Sequence, residues 1–223
     1  MNILAGMEHV HGLEVPETLE DACDPRRLAL LVYDMQVGIL RQIEDGDRVT
    51  KAVRDVLDVA RAAGVRTVFV RHITVPHRLM GAAQLRMWKT WQRRASVTEV
   101  TSPFPPGAEH ARIVAELEPA DDEVVFDKVT MSAFEGTPLD IIFRDCGITA
   151  VAVVGVALEI GIEPTARHAA DLGYVPIVVT DACGVGDREA GARSLDALRF
   201  AGDAMLTDVA GFTAAVAEHR PES

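Results

Sequence analysis

Three positions in the sequence carry groups that could take part in chemistry, and each follows a short apolar run. Asp34 closes LALLVY, Lys128 follows EVVFD, and the turn from Gly155 to Gly161 follows AVAVV. The pKa of a carboxyl beside an ammonium is lowered by that charge and raised by burial, so the sign of its net shift stays open here. At the turn, the backbone N–H groups of Ala157 and Gly161 lie at a predicted helix start, where they could hold an oxyanion or a substrate carboxylate.

Alternating strands and helices predict how these positions meet. Continuous apolar runs predict strands at 28–33, 65–70, 123–126, 150–154, 175–180 and 204–206. Helical spacing predicts helices at 47–63, 79–94, 138–146, from the 155–161 turn to about 173, and at 187–200. This alternation is typical of a three-layer α/β/α sandwich around a six-stranded, mostly parallel, doubly wound sheet. Such sheets bind ligands beyond the carboxyl ends of their strands, where all three positions lie.

Composition limits the class of protein. The 223 residues suit one domain, predicted to span 1–223. Lys and Arg number 22 against 34 Asp and Glu, and the formal charge of −12 disfavours nucleic acid and anionic membrane surfaces as partners. The first twelve residues lack the pattern of a signal peptide, and no apolar run has the length of a membrane span. Because the three cysteines form no CxxC pair, we expect a cytoplasmic protein without a disulfide scaffold.

Four motifs carry a resemblance to a known family. They are LLVYDMQ, FDKVTMSAFEGTPL, VVGVALEIGIEPTARHAADLGY and VVTDACG, in that order between about residues 28 and 207. Together they resemble the isochorismatase-like hydrolase superfamily. The resemblance implies an Asp-Lys-Cys triad, a Val156-Ala157 peptide bond that is often cis, and assembly into dimers or tetramers. At the position that the resemblance assigns to the cysteine, this chain has Gly161.

The missing cysteine changes the chemistry that the resemblance allows. Leu158 also replaces a threonine common in the amidase-like members, whereas isochorismatases proper resemble this chain in placing glycine at the turn. Those enzymes, however, usually have tyrosine and histidine where this chain has Ala157 and Glu159. Because neither Gly161 nor Ile162 can act as a nucleophile, an acyl-enzyme at this turn is excluded. The glycine is expected to leave room for a water molecule or a bulkier substrate.

Other residues are candidates for the walls of the site. The predicted substrate contacts are Phe134, Ser132, His72, Trp88 and Leu158. Ser132 and the aromatic residues have a structural alternative, as loop or core residues. Glu159 is interpreted as a solvated carboxylate near a helix start, and Cys183 as a packing residue rather than a displaced nucleophile. The scattered histidines form no metal-ligand pattern, so neither a metal nor another cofactor is predicted.

Three functions stay open. A hydrolase without a covalent intermediate would use Asp34 and Lys128, with Asp34 either protonating a vinyl ether carbon or activating water against a C–N or ester bond. A family member that has lost catalysis would bind a small carboxylate or amide. A dinucleotide-dependent oxidoreductase would need a phosphate-binding turn, and CGVGDREAG lacks the G-x-G-x-x-G spacing. We expect the first, acting on a small molecule as a homo-oligomer.

Overall fold

Eight strands and eight α-helices follow one another in the part of the chain that this computed structural model describes, residues 7–219. The strands are β1 (Glu8–Val10), β2 (Leu13–Val15), β3 (Leu28–Tyr33), β4 (Arg66–His72), β5 (Val124–Lys128), β6 (Ala150–Val156), β7 (Val175–Gly184) and β8 (Met205–Thr207). The helices are α1 (Leu19–Ala22), α2 (Val37–Leu40), α3 (Gly46–Ala62), α4 (Ala82–Trp91), α5 (Leu139–Asp145), α6 (Glu163–Asp171), α7 (Arg188–Ala201) and α8 (Val209–Ala217).

Six of the strands form one parallel sheet. Their order is β5-β4-β3-β6-β7-β8, and each neighbouring pair is parallel. The predicted α/β fold with a six-stranded sheet is therefore confirmed. The strand order reverses between β3 and β6, which pair from Leu28 opposite Ala150 to Tyr33 opposite Gly155. The switch point of the sheet, where such folds bind ligands, thus lies beyond the ends of these two strands.

Helices cover both faces of the sheet because the central strands carry apolar residues on both sides. Alternate residues of β3 face opposite ways: Leu30 packs with α3 and α8, whereas Leu31 and Tyr33 pack with α5, α6 and α7. Tyr33 therefore ends β3 with its phenol on the α6 side. At the carboxyl edge of the sheet, Trp88 of α4 contacts His72 at the end of β4, with ring centres 5.9 Å apart. The segment around α4 thus forms a wall at this edge.

The structure also contains elements that the sequence pattern does not predict: the antiparallel β1–β2 hairpin, α1, α2 and α8. Helix α8 is capped by Asp208, whose side chain accepts from Gly211 N at 2.7 Å. Nearly all nine residues of α8 are apolar or small, which hides the helical period. Strands β4 and β7 continue beyond their predicted ends, to His72 and Gly184. Within residues 7–219, no helix has both the length and the apolar character needed to cross a membrane.

Candidate active site

Asp34 is fixed at the switch point by its backbone. It directly follows β3, and its φ of +49° lies in the left-handed region that few residues other than Gly, Asn and Asp adopt. The Asp34 N–H donates to Val70 O at 3.0 Å, and the Asp34 carbonyl accepts from Gln36 N at 2.7 Å. The Gln36 side chain in turn bonds the N–H and the carbonyl of His72. The turn after β3 is thereby attached to β4, and the Asp34 carboxyl is held in a buried position.

Lys128 reaches Asp34 from the end of β5, two strands away. Its Nζ donates to Asp34 Oδ2 at 2.8 Å and to Thr130 O at 3.2 Å. The same Nζ lies 4.1 Å from the centre of the Tyr33 ring. The carboxylate, the carbonyl and the ring face together compensate the buried ammonium for its lost hydration. The structure thus brings the two predicted charged residues together.

Burial dominates the ionisation of this pair. It raises the pKa of Asp34 to about 6, against the opposing effect of the Lys128 charge. Burial also lowers the pKa of Lys128, while the Asp34 charge opposes that shift. The pKa of His72 falls to about 3 because of burial and the nearby Lys128 charge, so His72 is a neutral imidazole at pH 7. The net shift of Asp34, open from the sequence, is therefore upward, and its carboxylate is ionised at neutral pH.

Asp34 lines a cavity of about 470 Å³, called the Asp34 cavity below. Lys128 holds Oδ2, and Oδ1 is buried without a hydrogen-bond partner among the described residues. A carboxylate oxygen in that state is available to a water molecule or a ligand. A larger concavity of about 570 Å³ beside α2 and α3 contains neither Asp34 nor Lys128. We therefore assign the functional site to the Asp34 cavity.

Aromatic side chains form one wall of the Asp34 cavity. Trp88 and Trp91 of α4 meet edge to face with ring centres 5.2 Å apart, and Phe104 lies 6.3 Å from Trp88. Two of the predicted substrate contacts, His72 and Trp88, thus line the cavity. Phe104 also lines it, although its segment SPFPP predicts only the end of a helix. Its position depends on how the long connection between β4 and β5 folds back, which no local pattern reveals.

Three other predicted substrate contacts lie outside the Asp34 cavity. Phe134 stacks on Tyr174, with ring centres 5.7 Å apart, in the core between the sheet and its helices. Ser132 Oγ lies 2.8 Å from His168 Nδ1, and Leu158 is buried in the same core. The loop after β5 folds back onto α6, so Phe134 and Leu158 pack the protein interior and the half-buried Ser132 contacts His168. The prediction that Ser132, Phe134 and Leu158 contact substrate is corrected accordingly.

Tyr33 fills the space beside Gly161. A Cβ built on Gly161 would lie only 2.0 Å from Tyr33 Oη, far inside a normal contact. The Tyr33 hydroxyl donates to Met131 O, and burial raises the pKa of Tyr33 well above its ordinary value, so the phenol stays protonated. The expectation that Gly161 leaves room for water or a bulkier substrate is therefore wrong.

The backbone at the turn offers only one of the two predicted N–H donors. The Gly161 N–H donates to Ala157 O at 3.0 Å, as part of the π-helical turn Leu158–Ile162, and is not free for an oxyanion. Val156 and Ala157 both line the Asp34 cavity, and the peptide bond between them is cis. The Ala157 N–H has no acceptor among the described residues. Of the two predicted donors, only Ala157 thus stays available to a ligand.

Glu159 belongs to the Asp34 cavity and is not the solvated carboxylate expected from the sequence. Its Oε1 accepts from Gly186 N at 2.8 Å and from Asp187 N at 2.9 Å, at the start of α7. Its Oε2 is buried and has no partner among the described residues. Asp187 lines the same cavity. One feature of the sequence could have indicated that Glu159 belongs to the cavity. Two acidic residues follow the ends of neighbouring strands, Glu159 after β6 and Asp187 after β7.

Among the described residues, the lining of the Asp34 cavity contains no serine, threonine or cysteine. Cys183 is buried outside it, with Sγ 3.8 Å from Val153 O, and burial raises the pKa of its thiol. Among residues 7–219, no group of three or more His, Cys, Asp or Glu is arranged to hold a metal ion.

Comparison with known proteins defines first the fold and then the family. The structure matches a cysteine hydrolase from Pseudomonas syringae with a TM-score of 0.75 and 22% identity, over 89% of this chain and 96% of the other. Streptothricin hydrolase of Streptomyces noursei is 32% identical over a match of 176 residues, and the match covers 77% of this chain and 60% of that protein. Ureidoacrylate amidohydrolase of Caulobacter segnis is 27% identical over 71% of this chain and 73% of that protein. Residues 28–210 match the isochorismatase domain, and the chain belongs to this family of hydrolases.

The Gly161→Cys variant is expected to be less stable than the parent by about 1–3 kcal/mol, because its side chain would overlap the Tyr33 phenol. Gly161→Ala introduces the same overlap without a thiol and should lose a similar amount. In a Tyr33→Val background, which empties the space, Gly161→Cys should cost less. Urea unfolding of the single and double variants measures this coupling. Equal costs of Gly161→Cys in both backgrounds would show that Tyr33 does not occupy the position.

Proposed function

We propose that this protein hydrolyses a C–N bond of amide type in a small molecule, with Asp34 as general base and without a covalent intermediate. The state of the Asp34 carboxylate carries this proposal. Lys128 fixes Oδ2, while Oδ1 is unpartnered and the side chain lines the cavity. A buried carboxylate oxygen without a donor costs free energy, which a bound water would offset. The pKa of about 6 suits a group that accepts a proton at neutral pH and returns it within the same reaction.

In the proposed reaction, a water molecule bound to Asp34 Oδ1 attacks the substrate carbonyl carbon. As the new C–O bond forms, one water proton moves to Asp34 and the π electrons of the carbonyl move onto its oxygen. The Ala157 N–H would donate to that oxyanion. When the tetrahedral intermediate collapses, the C–N bond breaks and Asp34 returns its proton to the departing nitrogen. The products are a carboxylic acid and an amine.

Two features support a reaction without an acyl-enzyme. The Asp34 cavity is lined by no serine, threonine or cysteine, so a nucleophile of the usual kind is missing there. The position that the family resemblance assigns to a cysteine is Gly161, and the protonated Tyr33 phenol occupies the adjoining space. In the absence of these nucleophiles, water activated by Asp34 is the proposed nucleophile.

C–N cleavage is favoured over vinyl ether cleavage by the ionisation of Asp34. Protonation of a vinyl ether carbon needs a protonated acid, whereas a carboxyl with a pKa of about 6 is mostly ionised at pH 7. The name of one relative agrees, since that protein is an amidohydrolase. Ester hydrolysis would use the same base and the same oxyanion donor, so small esters belong among the trial substrates.

We expect kcat/KM to fall about tenfold for each pH unit below about 6, because only ionised Asp34 can accept the water proton. A screen of small amides, ureas, esters and vinyl ethers at neutral pH would supply the substrate, and initial rates from pH 4.5 to 8 would give the profile. A profile that falls as the pH rises through 6 would show instead that Asp34 acts as an acid. Failure to cleave any of these classes would favour the alternative of a family member that only binds a small carboxylate or amide.

A further inference from the structure

The ionisable side chains that line the Asp34 cavity leave it with a negative charge. Asp34, Glu159 and Asp187 line it, and no lysine or arginine does so in the described part of the chain. Lys128 lies behind Asp34 with none of its side chain exposed, and it neutralises only its own partner. The buried His72 is a neutral imidazole and adds no positive charge. Two carboxylates therefore stay uncompensated by any cation in the lining.

Glu159 has one oxygen in use and one free. Oε1 accepts the two N–H bonds at the start of α7, and Oε2 is buried without a partner among the described residues. A carboxylate oxygen can only accept, so its missing partner must be an N–H or O–H donor. Asp34 Oδ1 is a second free acceptor in the same cavity, on a side chain only 7% exposed. In the proposed reaction this second oxygen binds water, which leaves Glu159 Oε2 for the ligand.

The aromatic wall favours the same kind of ligand. Trp88, Trp91 and Phe104 line the cavity. The faces of aromatic rings attract cations, tryptophan most strongly. An anionic ligand would instead meet two carboxylates with no free ammonium or guanidinium among the lining residues.

We infer that the Asp34 cavity selects ligands with a cationic nitrogen, a primary ammonium or a guanidinium, that donates to Glu159 Oε2 and packs against Trp88 and Trp91. Such selectivity would define the substrate class of the proposed hydrolase, and in that respect it rests on the proposed function. Binding itself needs no turnover and can be measured separately.

Tryptophan fluorescence reports on this cavity directly, because both tryptophans of the chain line it. Three probes of similar shape differ in charge: phenethylammonium, 3-phenylpropan-1-ol and 3-phenylpropanoate. Titrations in 0.15 M NaCl would screen the attraction of any cation to the net charge of −12. We expect phenethylammonium to bind about tenfold or more tighter than the alcohol, and 3-phenylpropanoate to bind most weakly.

A matched pair of variants separates the Glu159 charge from the overall charge. Glu159→Gln keeps an amide oxygen for the N–H groups of Gly186 and Asp187 but removes the carboxylate. It should reduce the preference for the ammonium over the alcohol to about twofold or less. Glu163→Gln makes the same change four residues later, in a side chain that pairs with Arg167 and does not line the cavity. This control should keep the preference of the parent.

Several results would overturn the inference: equal affinity for the ammonium and the alcohol, tighter binding of 3-phenylpropanoate, an unchanged preference in Glu159→Gln, or no response to any of the probes.

The inference about the ligand and the proposed function can fail separately. A protein that hydrolyses neutral amides without a cation preference would overturn only this inference. A protein that prefers the ammonium but hydrolyses no substrate would overturn only the proposed function.

Discussion

Asp34→Asn is expected to lower kcat/KM by about 10²- to 10⁴-fold, the usual contribution of a general base. The amide has nearly the shape of the carboxyl but cannot accept a proton from water. Asn also adopts the left-handed backbone conformation found at this position, so the fold should survive. Initial rates on a substrate from the screen, with circular dichroism as a check of folding, would measure the effect.

The matched control is Asp127→Asn, which makes the same change at the residue before Lys128. Asp127 is exposed and pairs with Arg71 on the neighbouring strand, outside the Asp34 cavity. It should keep most of the parent activity. An Asp34→Asn protein that is folded and turns over substrate at the parent rate would reduce Asp34 to a structural residue.

Lys128→Met is expected to destabilise the protein by about 3–5 kcal/mol at neutral pH, because it leaves the Asp34 carboxylate buried without its counterion. The folded-state pKa of Asp34 should then rise further above 6, since the Lys128 charge no longer opposes the effect of burial. A carboxyl whose pKa is raised on folding loses stability as the pH rises from its unfolded pKa, near 4, through its folded pKa. The deficit should thus grow above about pH 6, by about 1.4 kcal/mol for each pH unit between the folded-state pKa of Asp34 in the parent and that in the variant.

Urea unfolding at several pH values would measure this deficit, and the acid limb of the pH–rate profile should move upward with the pKa of Asp34. Lys51→Met is a suitable control, because Lys51 pairs with Asp55 on the surface of α3. Removing that exposed pair should lower the free energy of unfolding by about 0.5 kcal/mol or less at every pH tested. A Lys128→Met protein as stable as the control, with an unshifted acid limb, would contradict the assigned role of Lys128.

The sheet and the charged pair follow from local features of the sequence. The runs that form β3 and β6 are buried on both faces, and such continuous apolar runs are typical of central parallel strands. Once the strands are in place, their carboxyl ends share one edge, so Asp34 and Lys128 are predicted to lie near one another. The short helices α1 and α2 and the hairpin carry too few residues to show a period.

The rest of the site depends on contacts between distant segments. Nothing near Gly161 indicates that Tyr33, more than a hundred residues earlier, fills its side-chain space. Similarly, Phe134 faces the core because the loop after β5 turns back onto α6. Glu159 accepts hydrogen bonds from Gly186 N and Asp187 N, which lie 27 and 28 residues later in the chain. The residues that would decide substrate choice are therefore the ones that a single sequence places least well.

Hydrolysis without a covalent intermediate can be tested most directly by following oxygen through many turnovers in H2¹⁸O. If Asp34 only activates water, ¹⁸O enters the carboxylic acid product, and the peptide that contains Asp34 keeps its natural mass. If Asp34 attacks the substrate itself, the C–N bond breaks and a mixed anhydride forms. Water that opens this anhydride at the Asp34 carbonyl leaves ¹⁸O in that carboxyl, and an acid quench before it opens leaves an acyl adduct on Asp34. We predict labelled product, an unlabelled Asp34 peptide and an unmodified chain after acid quench. Label in the Asp34 peptide, or an acyl adduct on Cys183 or any other residue, would contradict the proposed mechanism.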